Sequence, residues 1–234
     1  MERNCNRCTG NYCAKKVSIF SILEETELKE VVDKVISREY KKGQSIFTEG
    51  DLSDKLYIIN TGSIKVFKYT KEFKEQIIYI LSEGDIIGDL SLLKESSFEF
   101  NAEALENVNI CTLAKRDFDA IIMQKPYIVL KLLENIHDRL VSLEKLVQTL
   151  STKDVEARVA AMLISFIKDF GCECKGVLEL NLPLSREEMA NYIGITRETV
   201  SRKLTAFQEQ GFIELANNKK IIIKDVAALQ ELCQ

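Results

Sequence analysis

The apolar residues of this chain change period part-way along. Between residues 36 and 114 they fall in short runs, KLYIIN, SIKVFKYT, EQIIYIL and NICTLA, separated by Gly43, Gly50, Gly62, Gly84 and Gly88. Short runs bounded by turn glycines are strands, and a regular series of them closes into a small barrel or roll. From about residue 116 to 150 the period is helical: Leu132, Ile136, Leu140, Leu143, Val147 and Leu150 recur at intervals of three and four. That is the spacing of an a/d seam. Such a stripe either packs on the roll of its own chain or pairs with a second copy. Its length favours a homodimer, because it exceeds the contact a small roll offers. The chain is therefore read as α+β.

The flanks of these two regions add further elements. Residues 17–35 space Leu23, Leu28, Val31, Val32 and Val35 at helical intervals behind acidic residues, which predicts a short helix. Residues 153–170 repeat that pattern, and GCECKGVLEL reads as a loop entering a strand. The expected organisation is a cysteine-rich leader over 1–16, a β-roll over 17–115, a dimerisation helix region over 116–150 and a second domain over 151–234.

Composition narrows the class. With 234 residues and 46% of them hydrophobic, there is material for one large or two modest cores. No apolar stretch reaches the length of a membrane span and no apolar signal segment precedes the fold, so a cytoplasmic location with no membrane partner is expected. Seven cysteines cannot pair completely, and a reducing compartment turns them toward metal ligation. A single histidine, His137, and the lack of a nucleophile–base set or a phosphate-binding glycine loop argue against an enzyme. An iron–sulfur enzyme or electron carrier is the reading from another class, and sequence-specific DNA binding without turnover would exclude it.

The segment from Leu184 to Lys224 carries the densest local information. Ser185 and Glu188 form a capping box, Met189, Ala190 and Ile193 share one face, and Gly194 interrupts the helix. Thr196 caps a second helix in which Val200, Leu204 and Phe207 line the inner side, while Glu198, Ser201 and Arg202 share another. This is helix, tight turn, helix. Arginine donates two bonds to guanine, a carboxylate accepts from cytosine, and serine meets a base or a phosphate. Between Ser185 and Lys224 the bases, with Arg197 and Lys203 among them, number seven against five acids, whereas the whole chain has a net charge of −4. Lys219 and Lys220 beside Asn217 and Asn218 form a candidate wing for the phosphate backbone. A solvated helix pair with an incidental charge pattern is the plainer reading, and the agreement of caps, turn, stripe and wing speaks against it.

In this order, roll, long helix and winged helix-turn-helix, the chain resembles the FNR/CRP family of bacterial transcription regulators over nearly its whole length. ITRETVSRKLTAFQEQGFI is similar to that family's recognition helix, and Glu198, Ser201 and Arg202 match the E-x-x-S-R pattern of the FNR branch. The resemblance implies a jelly roll like those that bind cyclic nucleotides, double-stranded DNA with palindromic TTGAT-like sites as partner, and RNA polymerase as a further partner if the protein activates. Two half-sites one helical turn apart are within reach of two such helices. In the cyclic-nucleotide branch the roll carries Gly-Glu-Leu and then an Arg-Ser pair that holds the phosphate. The matching stretch here is Gly88, Asp89 and Leu90, with Phe100 and Asn101 where Arg and Ser would stand. Without a guanidinium for the phosphate, cyclic AMP is not the expected ligand.

The leader supplies the other candidate site. Cys5, Cys8 and Cys13 read as C-x2-C-x4-C, a spacing at which thiolates can hold three corners of an iron–sulfur cluster, with Gly10 easing the loop. A four-cysteine zinc site and a thiol–disulfide switch use the same residue type and stay open as alternatives. Resemblance to the FNR branch nominates Cys111, in ALENVNICTLAKRDFDAI, as fourth ligand of an oxygen-labile [4Fe–4S] cluster. Members of that branch commonly place five residues between the second and third cysteines, whereas four intervene here. They can also carry an acid in the dimer seam, where Leu143 stands here, and an unbroken apolar seam would favour a dimer even without the cluster. Strand alternation leaves the direction of Cys111 open. Cys172, Cys174 and Cys233 are read as incidental, and His137 as a surface or seam-flanking residue and not a haem ligand.

Overall fold

The computed structural model describes residues 3–4, 17–89, 97–174, 176–217 and 219–233. It divides into two compact units, one of residues 1–68 and 79–141, the other of residues 69–78 and 142–234.

The roll is built from β1 (Arg3–Asn4), β2 (Ile36–Tyr40), β3 (Ser45–Phe47), β4 (Lys55–Thr61), β5 (Ile64–Tyr69), β6 (Glu75–Leu81), β7 (Ile86–Ile87), β8 (Asn101–Ala104) and β9 (Val108–Ala114). These form two sheets, ordered β1-β2-β9-β4-β7 and β3-β8-β5-β6. The glycines punctuate them as the sequence suggested. Gly62, between β4 and β5, sits at φ +82°, and a Cβ there would lie 2.8 Å from the Asn107 carbonyl oxygen, so only glycine fits.

Strand β9 is buried on both faces. Val108 and Ile110 join Tyr40, Phe47, Ile59 and Phe98 in the roll interior. Cys111 and Leu113 join Val17, Phe20, Leu28, Phe118 and Leu132 in a second cluster on the opposite side of the sheet. Each large side chain removed from water there contributes about 1.5–3 kcal/mol. The helices that cover this second face are α1 (Glu25–Val32), α2 (Lys115–Gln124) and the first part of α3 (Ile128–Ser151).

The short helix expected within 17–35 is α1, which starts after Glu24, whose side chain and Glu27 form a reciprocal capping box; a 3-10 turn over Ser18–Phe20 precedes it. Two sequence expectations need correction. The helical region 116–150 is two helices, because Pro126 has no N–H to donate and Lys125 before it leaves helical geometry, at φ −133° and ψ 68°. GCEC is not a loop: β10 (Gly171–Cys174) is an edge strand paired with β11 (Val177–Asn181), and Gly176 at φ +77° lets the chain turn tightly between them.

After α3 the chain continues with α4 (Val155–Phe170), capped by Asp154, and, after β10 and β11, with α5 (Arg186–Ile193), α6 (Arg197–Glu209), β12 (Ile213–Leu215), β13 (Lys220–Ile223) and α7 (Val226–Glu231). Its sheet runs β10-β11-β13-β12. Met162, Leu163, Phe166, Met189, Val200, Leu204 and Phe207 are buried together with Ile221 of the sheet.

Candidate DNA interface and sensor thiols

The helix-turn-helix forms for the local reasons its sequence advertises. The Glu188 amide donates to Ser185 Oγ at 3.2 Å, and the Ser185 amide returns a bond to Glu188 Oε2 at 2.6 Å. Gly194 ends α5 in the left-handed region at φ +69°, where a side chain would be strained. Thr196 caps α6 by accepting from the Thr199 amide at 3.3 Å. With Val200, Leu204 and Phe207 fully buried, the helix presents Arg197, Glu198 and Arg202 to solvent with Ser201 half-buried beside them.

Two of the expected phosphate-binding lysines are otherwise engaged. Lys203 is turned about 100° further round the helix than Arg202, toward α4, and is ion-paired with Glu156. Lys220 points along the sheet to Glu179, 2.7 Å away. Lys219 is exposed at the wing, where Asn217 Oδ1 accepts from the backbone amides of Lys219 and Lys220 at 2.8 Å each and so shapes the turn. Among the described residues the free surface chemistry is thus Arg197, Glu198, Ser201, Arg202 and Lys219, an arrangement able to read base edges and hold a backbone.

Cys111 is fully buried, and its direction is now visible. It shares its strand face with Leu113 and lies in the same cluster as Val17, Ile19 and Phe20, the residues that follow the leader. In the sheet it stands opposite Ser37, which in turn pairs with Arg3 of β1. Arg3, Ser37 and Cys111 therefore form one row across three strands, two residues before the first leader cysteine. Its thiol lies 4.0 Å from Asn109 Oδ1. Cys5, Cys8 and Cys13 lie outside the described residues. Among the described residues no three His, Cys, Asp or Glu side chains gather as a metal site. Cys172 is half-buried on β10, and Cys233 is an exposed residue after α7 whose thiol burial pushes up. His137 is exposed.

The exposed stripe of α3 does not fall on the register expected of a dimer seam. Leu132 is buried and Ile136 half-buried against the roll core, Leu143 and Leu150 are half-buried, and only Leu140 and Val147 are open, at 53% and 62% exposure. Leu130 and Leu133 are open as well. The exposed stripe of α3 is therefore Leu130, Leu133, His137, Leu140, Glu144 and Val147, again at intervals of three and four. It is not unbroken: Glu144 lies within it. Leu132 and Ile136 are claimed by the roll core, which sequence spacing does not reveal.

Comparison with known proteins agrees with both units. A family profile described as "Cyclic nucleotide-binding domain" matches residues 37–125, and one described as "Crp-like helix-turn-helix domain" matches residues 157–232. The chain is 32% identical to the Electron transport regulator A of Shewanella oneidensis, over 95% of this chain and 87% of that protein. It is 30% identical to the Fumarate and nitrate reduction regulatory protein of Vibrio cholerae, over 90% and 84% respectively. The chain belongs to the CRP/FNR family. Among solved structures of that fold, FixK2 from Bradyrhizobium japonicum superposes with a TM-score of 0.77 at 24% identity, over 86% of this chain and 98% of that one.

A CRP/FNR roll raises the question of a cyclic nucleotide, and the residues present do not fit one. No Arg or Lys occurs between Lys94 and Lys115. Phe98 stacks on Phe47 with centroids 3.7 Å apart, Phe100 packs 6.1 Å from Phe98, and Tyr57 meets Phe47 edge-on at 5.4 Å. Asn101 Oδ1 is taken by the Glu49 amide at 3.1 Å. Among the described residues the interior is an aromatic plug with no cation for a phosphate.

Sequence reasoning named Asp89 but missed its partner, Arg139. Asp89, 1% exposed, is ion-paired with Arg139 at 3.0 Å, and the same guanidinium donates to the Ile86 carbonyl at 2.8 Å. Tyr79 lies below it, its ring centroid 5.7 Å away, with its hydroxyl pKa raised by burial. Arg139 continues the inward arc of Leu132 and Ile136 at helical spacing, and that spacing was the available signal.

Proposed function

We propose that this chain is a DNA-binding transcription regulator that acts as a homodimer in the cytoplasm and reads palindromic TTGAT-like sites through Arg197, Glu198, Ser201 and Arg202. The signal it responds to is oxygen. Cys5, Cys8, Cys13 and Cys111 would hold a [4Fe–4S] cluster, which supplies oxygen-labile chemistry to an otherwise plugged roll. The observation that carries this reading is the direction of Cys111: its thiol faces the cluster built by the residues that follow the leader, on the row of the sheet that β1 extends. Val17, Ile19 and Phe20 exclude water around that thiol and press on Leu132 of α3. The exposed stripe Leu130, Leu133, Leu140 and Val147 supplies the apolar contact for a second copy, and Glu144 within it makes association cost desolvation of a carboxylate. Dimerisation is then a graded quantity that the N-terminal region can bias.

The test is DNA affinity for a TTGAT palindrome, measured by fluorescence anisotropy on anaerobically purified protein before and after a pulse of air. Tight, sequence-specific binding that weakens in air supports the reading. Binding indifferent to air, or restored by zinc instead of iron and sulfide, would replace the cluster by one of the other thiol chemistries.

A further inference from the structure

The turn of the helix-turn-helix is held from outside the motif. Residues 69–78, which run from the end of β5 into β6, belong to the second compact unit. Thr70 closes the hairpin there: its amide donates to the Lys74 carbonyl at 2.8 Å, and its Oγ1 accepts from the Glu72 and Lys74 amides at 3.3 Å each. Just beyond, the half-buried Gln76 donates from Nε2 to the Ile77 carbonyl at 3.0 Å and to the Tyr192 carbonyl at 3.1 Å. Tyr192 lies in the last turn of α5, where the final four carbonyls have no partner within the helix. Ala190 accepts from the Gly194 and Ile195 amides, Ile193 from Arg158 Nη1 at 3.5 Å, and Tyr192 from Gln76. Carbonyls at this end carry the negative pole of the helix, so a donor is favoured beside them and a carboxylate is not. The contact borders a cleft of about 910 Å3, lined by residues 70–76 and, across from them, by Gly194, Arg197 and Glu198.

We infer that Gln76 is a positioning residue for DNA reading: it caps α5 through the Tyr192 carbonyl and so fixes the turn from which α6 leads with Arg197, Glu198, Ser201 and Arg202. This deepens the DNA-binding reading above and rests on it. Only Gly194, Ile195 and Thr196 separate the two helices, so a shift of the last turn of α5 passes to α6 with little slack. There is little room to absorb it at Gly194, where even a Cβ would lie 3.2 Å from Leu150 Cδ2 and 3.8 Å from Gln76 Oε1. Recognition side chains must be held within about 0.5 Å of their working geometry, and a hydrogen bond that fixes both distance and direction does this where apolar packing slides. Gln76 acts on the base contacts through α5 and touches no base itself.

The experiment measures the affinity of the anaerobically purified full chain for a TTGAT palindrome and for a scrambled duplex of equal length, at one salt concentration. Wild type, Gln76→Ala, Gln76→Glu and Gln76→Lys are compared, and Gln76→Ala is repeated in an Arg202→Ala background as a double-mutant cycle. Gln76→Ala is expected to lower the ratio of the two affinities about two- to tenfold, the range of one hydrogen bond. Gln76→Glu, which sets a charge against the same carbonyl, should lose more, and Gln76→Lys, which can still donate to it, should keep the wild-type ratio. In Arg202→Ala the cost of Gln76→Ala should shrink, because a contact it positions is gone; a purely structural role would cost the same in both backgrounds. A wild-type ratio in Gln76→Ala and Gln76→Glu, an equal fall on both duplexes, or full additivity with Arg202→Ala overturns the inference. If wild-type protein does not prefer the TTGAT palindrome, the proposed site fails by itself, and the same variants on a palindrome selected from a random pool still decide the role of Gln76.

Discussion

The helix-turn-helix and the face of the roll around Cys111 are built on opposite principles. In α5 and α6 each decisive contact spans a few residues: a capping box, a left-handed glycine, a threonine cap, a stripe at i, i+4 and i+7. Around Cys111, beyond Asn109, Leu113 and Phe118 nearby in sequence, the contacts are long-range. Its neighbours come from residues 17–35, from β2 and β4, and from α2 and α3. The candidate DNA-reading surface therefore follows from local chemistry, whereas the surroundings of Cys111 exist only once the roll has closed. A surface made locally can be lost without unfolding the protein; a surface made by closure shares its fate with the core.

That contrast can be pressed by substitution, with the largest effect expected in the roll. Arg139→Met leaves the Asp89 carboxylate buried without its cation, a loss of about 3–5 kcal/mol of the kind seen when one partner of a buried pair is removed. Urea unfolding of the variant measures it, and Asp89→Leu in the same chain should return most of the loss. On the DNA side, Arg202→Ala should cost about 1–3 kcal/mol of specific binding, as a lost bidentate base contact does, with no change in the urea midpoint. Lys203→Ala should leave specific affinity nearly unaltered, because Glu156 already holds that ammonium; a loss as large as that of Arg202→Ala would return Lys203 to the interface. Lys219→Ala should weaken binding to all sequences alike and reduce the slope of log affinity against log salt by about 1.

The smallest effect is expected at the seam between α1 and the end of α2. The Glu27 carboxylate accepts from Lys125 at 2.8 Å, and that bond together with the Glu24 amide holds its pKa below the ordinary carboxylate value. A carboxyl with a lowered folded pKa contributes stability that is present above its unfolded pKa and lost as pH falls through the folded one. Glu27→Gln should accordingly be slightly less stable than wild type at neutral pH, with the difference closing in acid. Thermal unfolding at a series of pH values from neutral downward checks it.

Legibility in the sequence divides along the same line. The helix-turn-helix could be read residue by residue because its caps and stripe are short-range. The roll could be read as a class from the strand runs and turn glycines. Its partners could not: alternation along β9 says that Asn109, Cys111 and Leu113 share a face but not which core that face enters. The spacing of Leu132 and Ile136 is that of a seam, yet the roll claims these residues and moves the open stripe to Leu130, Leu133, Leu140 and Val147. Lys203 and Lys220 looked available because their acids, Glu156 and Glu179, stand far away in sequence. Pro126, by contrast, was a local signal that the helical period over 116–150 passed over, since a proline there has no N–H to donate to a continuous helix.

In the proposed function the signal enters through thiols, and Cys111 is one of them. An anaerobic absorption spectrum with an iron and sulfide count on wild type, Cys111→Ser and Cys172→Ser tests it directly. Wild type and Cys172→Ser should each hold about four irons and four sulfides per chain, as a [4Fe–4S] cluster requires, with the visible absorbance lost in air, while Cys111→Ser should hold little of either. Equal iron and sulfide in Cys111→Ser, or a colourless wild-type protein after anaerobic reconstitution, would contradict the account.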